Sequence, residues 1–190
     1  MNSFETILKK YWDIFKEEEM YFENDVRNWK LFQEIPGNTS EDDVITKISA
    51  INDGDVRRFS SVKEMTDHIL ALNIDKRLAE GDLTLVEDIA KADRTGKFPP
   101  FLEFASTYCN YHFPRVYPIF SKQHLDLYVG YIKKFNLDFD PVRVETYPVF
   151  CAVLKDFVNR LGLGDKMNYL EMRKFGWLYG DAIVEEFQQA

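Results

Sequence analysis

Apolar positions recur at helical intervals through most of the chain. Phe4, Ile7, Leu8, Tyr11, Trp12 and Phe15 share one face, and Phe22, Val26, Trp29 and Phe32 continue a similar one. One long helix or two consecutive helices are therefore expected over about residues 4–34. IPGNTS breaks the pattern, and Ser40 with Asp43 reads as a capping box opening a short helix through Val44, Ile45 and Ile48. After the turn INDGD, Ser61-x-x-Glu64 is a second capping box, for a helix carrying Met65, Ile69 and Leu72. Asp82 is placed to cap a helix with Leu83, Val86, Ile89 and Ala90, which ends where ADRTGKFPPF supplies Gly96, Pro99 and Pro100.

The second half continues in the same way. Phe101, Phe104, Ala105, Tyr108 and Cys109 form a stripe, His112 falls one turn further, and Pro114 ends the helix. Ser121 is predicted to cap the next helix, with Leu125, Tyr128, Val129, Ile132 and Phe135 facing inward. Beyond Asp140-Pro141 the pattern predicts a helix with Val149, Phe150, Val153, Leu154, Phe157 and Val158, stopped by Gly162, and a last one over about residues 168–187. No alternating strand pattern, internal repeat or low-complexity tract occurs. The expected fold is all-α: a compact multi-helix globular domain over residues 1–190, or two helical lobes with a cleft.

Composition narrows the function classes. Of the 190 residues, 45% are hydrophobic and 29% charged, enough for a buried core and a soluble surface. A formal net charge of -8 opposes general attraction to phosphate, so nucleic-acid binding would require a local basic patch. No apolar run approaches the ~20 residues of a spanning helix, and the N-terminus has no signal-peptide pattern, so a cytoplasmic protein with no membrane association is expected. Phosphate-loop, dinucleotide, zinc-protease and serine-hydrolase motifs are missing. Cys109-x-x-His112, with His124 beyond it, is short of the four ligands of a closed zinc site, so neither a metal nor a cofactor is expected. With no export signal, Cys109 and Cys151 read as buried thiols, Cys109 beside a hydrogen-bonded histidine.

One segment is unusually dense in aromatics. FLEFASTYCNYHFPRVYPIFSK, together with NYLEMRKFGWLYGD at residues 168–181, resembles bacterial helical proteins related to the 8-oxoguanine-type helix-hairpin-helix DNA glycosylases. There a helix reading F-A-S-K-Y-C-x-x-H-x-P is followed by Y-P-I-Y-D-S and another helix. The resemblance is strongest over residues 80–181. It implies a lysine that attacks the sugar and an aspartate that assists, because an amine nucleophile and a nearby carboxylate suit an oxocarbenium-like transition state. Here those positions hold Thr107 and Ser121. Neither can replace the group it stands for, since Thr107 cannot form a Schiff base and Ser121 carries no charge.

Possible substitutes are Lys97 and Lys122 for the amine, and Glu103 and Asp126 for the carboxylate. Tyr108, Tyr111, His112, Phe113 and Tyr117 are the residues expected to stack on an extruded base, and the plain alternative is that they fill a helical core. TGKFPPF, residues 95–101, stands where a phosphate-binding hairpin would be, or is simply a rigid turn. The resemblance thus implies a non-catalytic or catalytically altered relative that binds DNA, a nucleobase ligand or a protein partner. Its alternatives are an active glycosylase or lyase using the substitutes, and a helical protein-interaction module with no nucleic-acid role.

Overall fold

Capping residues, glycines and a proline mark some of the helix ends in this chain. The computed structural model describes residues 3–17, 23–51, 62–92, 101–160, 162–164 and 166–189. Among them the helices are α1 (Ser3–Glu17), α2 (Glu23–Glu34), α3 (Glu41–Ile51), α4 (Val62–Leu72), α5 (Asp75–Glu80), α6 (Thr84–Ala90), α7 (Leu102–His112), α8 (Leu125–Phe135), α9 (Tyr147–Arg160) and α10 (Tyr169–Gln189). No strand occurs among the described residues, so the all-α expectation holds. Ser61 and residues 95–100 of the TGKFPPF segment lie outside them.

Several termini follow directly from local chemistry. Asn168 and Glu171 form a reciprocal capping box at the start of α10: the Asn168 N–H donates to Glu171 Oε2 at 2.7 Å, and the Glu171 N–H to Asn168 Oδ1 at 2.9 Å. At the opening of α6 the Asp82 carboxylate accepts the Thr84 N–H at 3.0 Å. Left-handed residues follow four helices, Asn73 (φ 49°) standing after α4. Gly81 (φ 72°), Asn136 (φ 46°) and Gly162 (φ 63°) let the next N–H fold back onto a carbonyl five residues earlier, with Asp82, Leu137 and Leu163 donating to Arg77, Ile132 and Val158.

The chain divides into two compact units, Tyr21–Ile119 and Met1–Met20 with Phe120–Ala190. In the first, α7 packs against α2, α3 and α6, while α3 packs on α4. Every residue of α7 from Phe104 to His112 is buried, so this helix is the axis of the unit. Phe32, Val44, Ile48, Leu85, Val86 and Ile89 are buried on the helices that pack against it.

In the second unit α8 packs on α9 and α10, and α1 lies along α10. The α1 contact is aromatic: Trp12 and Phe15 set their rings edge-on to Phe175, at centroid distances of 6.0 and 5.7 Å. Tyr11 meets Tyr179 at 5.5 Å. Such pairs add about 0.5–1.5 kcal/mol each beyond the area they bury, whereas the exposed Lys10–Glu186 ion pair beside them is screened by water and adds little. Of the two expectations for residues 4–34, two helices are described, α1 in the C-terminal unit and α2 in the other.

Glycine tells the two kinds of site apart. A Cβ at Gly81 would combine a left-handed backbone with a 3.1 Å approach to Val116 Cγ1, whereas Gly130, inside α8, has open space around that position. Gly81→Ala is therefore expected to lower stability by roughly 1–2 kcal/mol, and Gly130→Ala to raise it by up to about 1 kcal/mol. Urea denaturation of both variants checks this, and a neutral Gly81→Ala would contradict the capping role.

Candidate functional site

Helix α7 carries Glu103, Thr107, Tyr108, Tyr111 and His112 of the residues that the sequence singles out. The Thr107 hydroxyl is turned back into the helix: its Oγ1 donates to the Glu103 carbonyl at 2.7 Å. Thr107 is only 5% exposed. The helix stops where Phe113 leaves helical geometry ahead of Pro114, whose ring cannot continue it. The chain then turns tightly, with the Val116 and Tyr117 N–H groups both donating to the Phe113 carbonyl.

The aromatic side chains are held from within the unit. Tyr108 OH donates to Asn38 Oδ1 at 2.6 Å, and Tyr111 OH to Asp25 Oδ1 at 2.6 Å. Tyr117 OH reaches the carbonyls of Arg77 and Leu78 at 3.2 and 3.1 Å. Phe32 lies at the centre of the cluster, with ring centroids 5.1 Å from Tyr108, 5.3 Å from Tyr111 and 4.9 Å from His112. Of the five side chains expected to stack on a base, Tyr108, Tyr111, His112 and Tyr117 are buried, and Phe113 is 38% exposed.

At the end of this cluster is a polar hub that the sequence pattern did not reveal. Asn38, from the loop before α3, donates through Nδ2 to Asp75 Oδ1 at 2.6 Å and approaches His112 Nε2 at 3.3 Å. Its Oδ1 accepts both from Tyr108 OH and from Lys47 Nζ, the latter at 2.7 Å. Lys47 Nζ also donates to the Gly37 carbonyl at 2.6 Å and sits 5.7 Å from the Phe32 ring centroid. With Asn38 Nδ2 as the donor, His112 Nε2 is the acceptor, which assigns the remaining ring proton to Nδ1.

Burial dominates the ionisation of these groups. Lys47 is 0% exposed, and desolvation, partly offset by Asp75 and Asp43, lowers its pKa to about 8. His112 is lowered to about 3, by burial and then by the Lys47 charge, so it is a neutral acceptor at physiological pH. Burial pushes the Tyr108 hydroxyl and the Cys109 thiol well up, so both keep their protons. A protonated thiol is a poor nucleophile, and Cys109 is a buried free cysteine like Cys151. Among the described residues no group of three or more His, Cys, Asp or Glu side chains could hold a metal ion.

Ser121, Lys122 and Asp126 belong to the other unit. Ser121 is buried in extended backbone (φ -141°, ψ 124°) and makes no capping bond, which corrects the expected helix start. A 3-10 turn, Lys122–His124, intervenes, and His124 takes the capping position of α8 instead. Lys122 and Asp126 are exposed. His124 is buried against α10, where a Cβ at Gly176 would lie 3.2 Å from its Nδ1. Burial and then Arg173 lower its pKa to about 4, and its Nε2 has no hydrogen-bond partner among the described residues. Lys97, the other substitute amine, lies outside the described residues.

An open groove of about 520 Å³ runs between α2 and α3, lined by Arg27, Asn28, Lys30, Leu31, Glu34, Thr46 and Ala50. Its walls are joined by Asn28 Nδ2, which donates to the Ala50 carbonyl at 2.8 Å. No described helix is long and apolar enough to cross a membrane.

Residues 7–116 match the family model HI_0787_N, described as an N-terminal domain. A protein of Haemophilus influenzae (strain ATCC 51907 / DSM 11121 / KW20 / Rd), described as uncharacterized, is 31% identical over 126 residues, covering 65% of this chain. The match covers 59% of the Haemophilus protein's own length. No solved structure matches the chain.

The hub and the groove both lie within residues 7–116. Because Lys47 has a lower pKa folded than its ordinary 10.5, the unfolded chain holds more protons above pH 8, and stability from this group rises between about pH 8 and 10.5. The rise is on the order of 3 kcal/mol. The raised pKa values of Cys109 and Tyr108 act in the opposite sense at alkaline pH, so the signal is the difference between wild type and Lys47→Met. Urea titrations from pH 7 to 10 are expected to show wild type gaining on the variant, and a constant difference would mean that the amine is not desolvated. With more than half of its residues inside the matched segment, the chain belongs to the HI_0787_N family.

Proposed function

We propose that the chain is a non-catalytic binding member of its family, acting through its surface and not through the aromatic helix. One observation carries this reading: the polar groups of α7 that would have to meet a substrate are engaged inside the fold. Thr107 is bonded to its own helix, Tyr108 to Asn38, and Tyr111 to Asp25. His112 is a neutral acceptor in the hub. The one strongly perturbed lysine described, Lys47, is fully buried with Nζ bound to two oxygens, and substrate could reach it only by unfolding the hub.

The net charge of -8 supports the same reading, because it removes the general electrostatic attraction on which DNA affinity rests. A protein partner or small ligand suits such a surface better than an extruded base does.

Incubation with abasic-site DNA in the presence of borohydride tests the proposal. No strand cleavage and no covalent adduct are expected, and polarisation measurements should show no salt-dependent affinity for single-stranded or duplex DNA. An adduct mapped by mass spectrometry to Lys122 or Lys97 would overturn the non-catalytic reading. DNA binding without an adduct would keep the chain non-catalytic and make nucleic acid its ligand.

A further inference from the structure

The C-terminal unit holds a histidine that its surroundings accept only as the neutral ring. His124 ends the 3-10 turn before α8 and is 4% exposed. Its Nε2 is buried with no hydrogen-bond partner among the described residues, and its side chain makes no capping bond to α8. Shape holds the ring instead. A Cβ on Gly176 of α10 would lie 3.2 Å from Nδ1 and 3.3 Å from Cε1 and Cγ, so α10 meets the imidazole directly at this glycine. One turn on, a Cβ on Gly180 would lie 3.9 Å from Leu127 Cδ2. Two residues without side chains thus seat α10 on the 3-10 turn and on the first turn of α8.

Each neighbour bears on a charge at that ring. The start of α8 turns its free N–H groups, the positive end of the helix dipole, toward the capping residue and disfavours a cation there. On α10, Arg173 opposes the imidazolium and Asp181 favours it. Helix α8 adds the exposed Asp126 and the buried Tyr128 hydroxyl, which keeps its proton, and the 3-10 turn adds the exposed Lys122. Burial is the largest influence, and with Arg173 it lowers the pKa of the ring to about 4. Lifting α10 from α8 returns water to both nitrogens, and the open state takes up a proton at the ordinary 6.5.

From this geometry we infer that the His124–Gly176 contact is an acid-sensitive latch: protonation of the imidazole releases α10 from α8 and bares the surface around Leu127 and Gly180. Above pH 6.5 the ring is neutral in both states and the latch holds fully. Its contribution is lost as the pH falls from 6.5 towards 4, because in that window the open state binds the proton and the closed state does not. Between pH 7.5 and 5 the opening equilibrium rises about thirtyfold on this account. His112 is also held neutral, but it belongs to the other unit and accepts a bond from Asn38, so its effect falls on α7. The latch is independent of the binding role proposed above.

Amide hydrogen exchange of the full chain between pH 7.5 and 5, corrected for intrinsic exchange rates, tests it in wild type and in His124→Gln, which stays polar but cannot titrate. Protection of α10 is expected to fall about thirtyfold further in wild type than in the variant, with α7 alike in both proteins. NMR titration of the histidine ring protons reads the closed state without any variant, and the His124 midpoint is expected below pH 5.

An equal fall of α10 protection in the two proteins would overturn the inference. So would α10 protection in wild type that does not change with pH, or a His124 ring that titrates near 6.5 in the folded chain. If the variant does not fold, the ring titration and the wild-type exchange decide alone.

Discussion

The side chain of Asn38 is the point on which the first unit depends. Its carboxamide is used on both sides, the nitrogen toward Asp75 and His112 and the oxygen toward Tyr108 and Lys47. Four elements meet there: the loop before α3, α3 itself, α5 and α7. An apolar residue in this place would leave Lys47 and Tyr108 as buried donors short of an acceptor, each costing about 1–3 kcal/mol, more for the charged amine. The hub therefore defines one arrangement of the helices. Apolar packing around α7 contributes more stabilisation in total, but it is less directional and would accept several arrangements.

The same bonding turns the polar groups of the aromatic segment into the fold. Tyr108 and His112 look exceptional in sequence because they are polar, aromatic and one turn apart. In the fold they face Phe32 and Asn38, and their polar atoms satisfy one another's neighbours. The deep burial that keeps His112 neutral and Cys109 protonated also shields them from solvent.

Helix existence was largely legible in sequence, because three- and four-residue spacing of Leu, Ile, Val and aromatic residues has one simple structural solution. The end of α9 at Gly162 and the start of α10 at Asn168 were equally readable. Ser121 misled: a serine before an amphipathic run suggests a cap, yet a 3-10 turn separates it from α8, and such turns leave no periodic signature. The hub was hidden because its members are local oddities that mean nothing singly. Asn38 sits in a stretch whose Pro36 and Gly37 signal only a loop, and Asp75 opens a six-residue helix. Lys47 did carry a signal, falling between Val44 and Ile48 on the buried face of α3, where a lysine requires a partner. The partner lay nine residues away and could not be chosen without the fold. The groove was invisible for a related reason, since Arg27 and Lys30 read as ordinary solvated charges until Ala50 is brought beside Asn28.

The placement of α1 sets the unit of inheritance against the unit of folding. Residues 7–116 are what the family shares, but Tyr11, Trp12 and Phe15 close their rings on Phe175 and Tyr179, far beyond that segment. A fragment cut at the family boundaries would carry an amphipathic helix whose aromatic face had lost its surface. It would be sticky in isolation, and its poor behaviour would say nothing about the integrity of the hub. The natural excision is instead near residues 21–119, where the hub, the aromatic axis and the groove travel together.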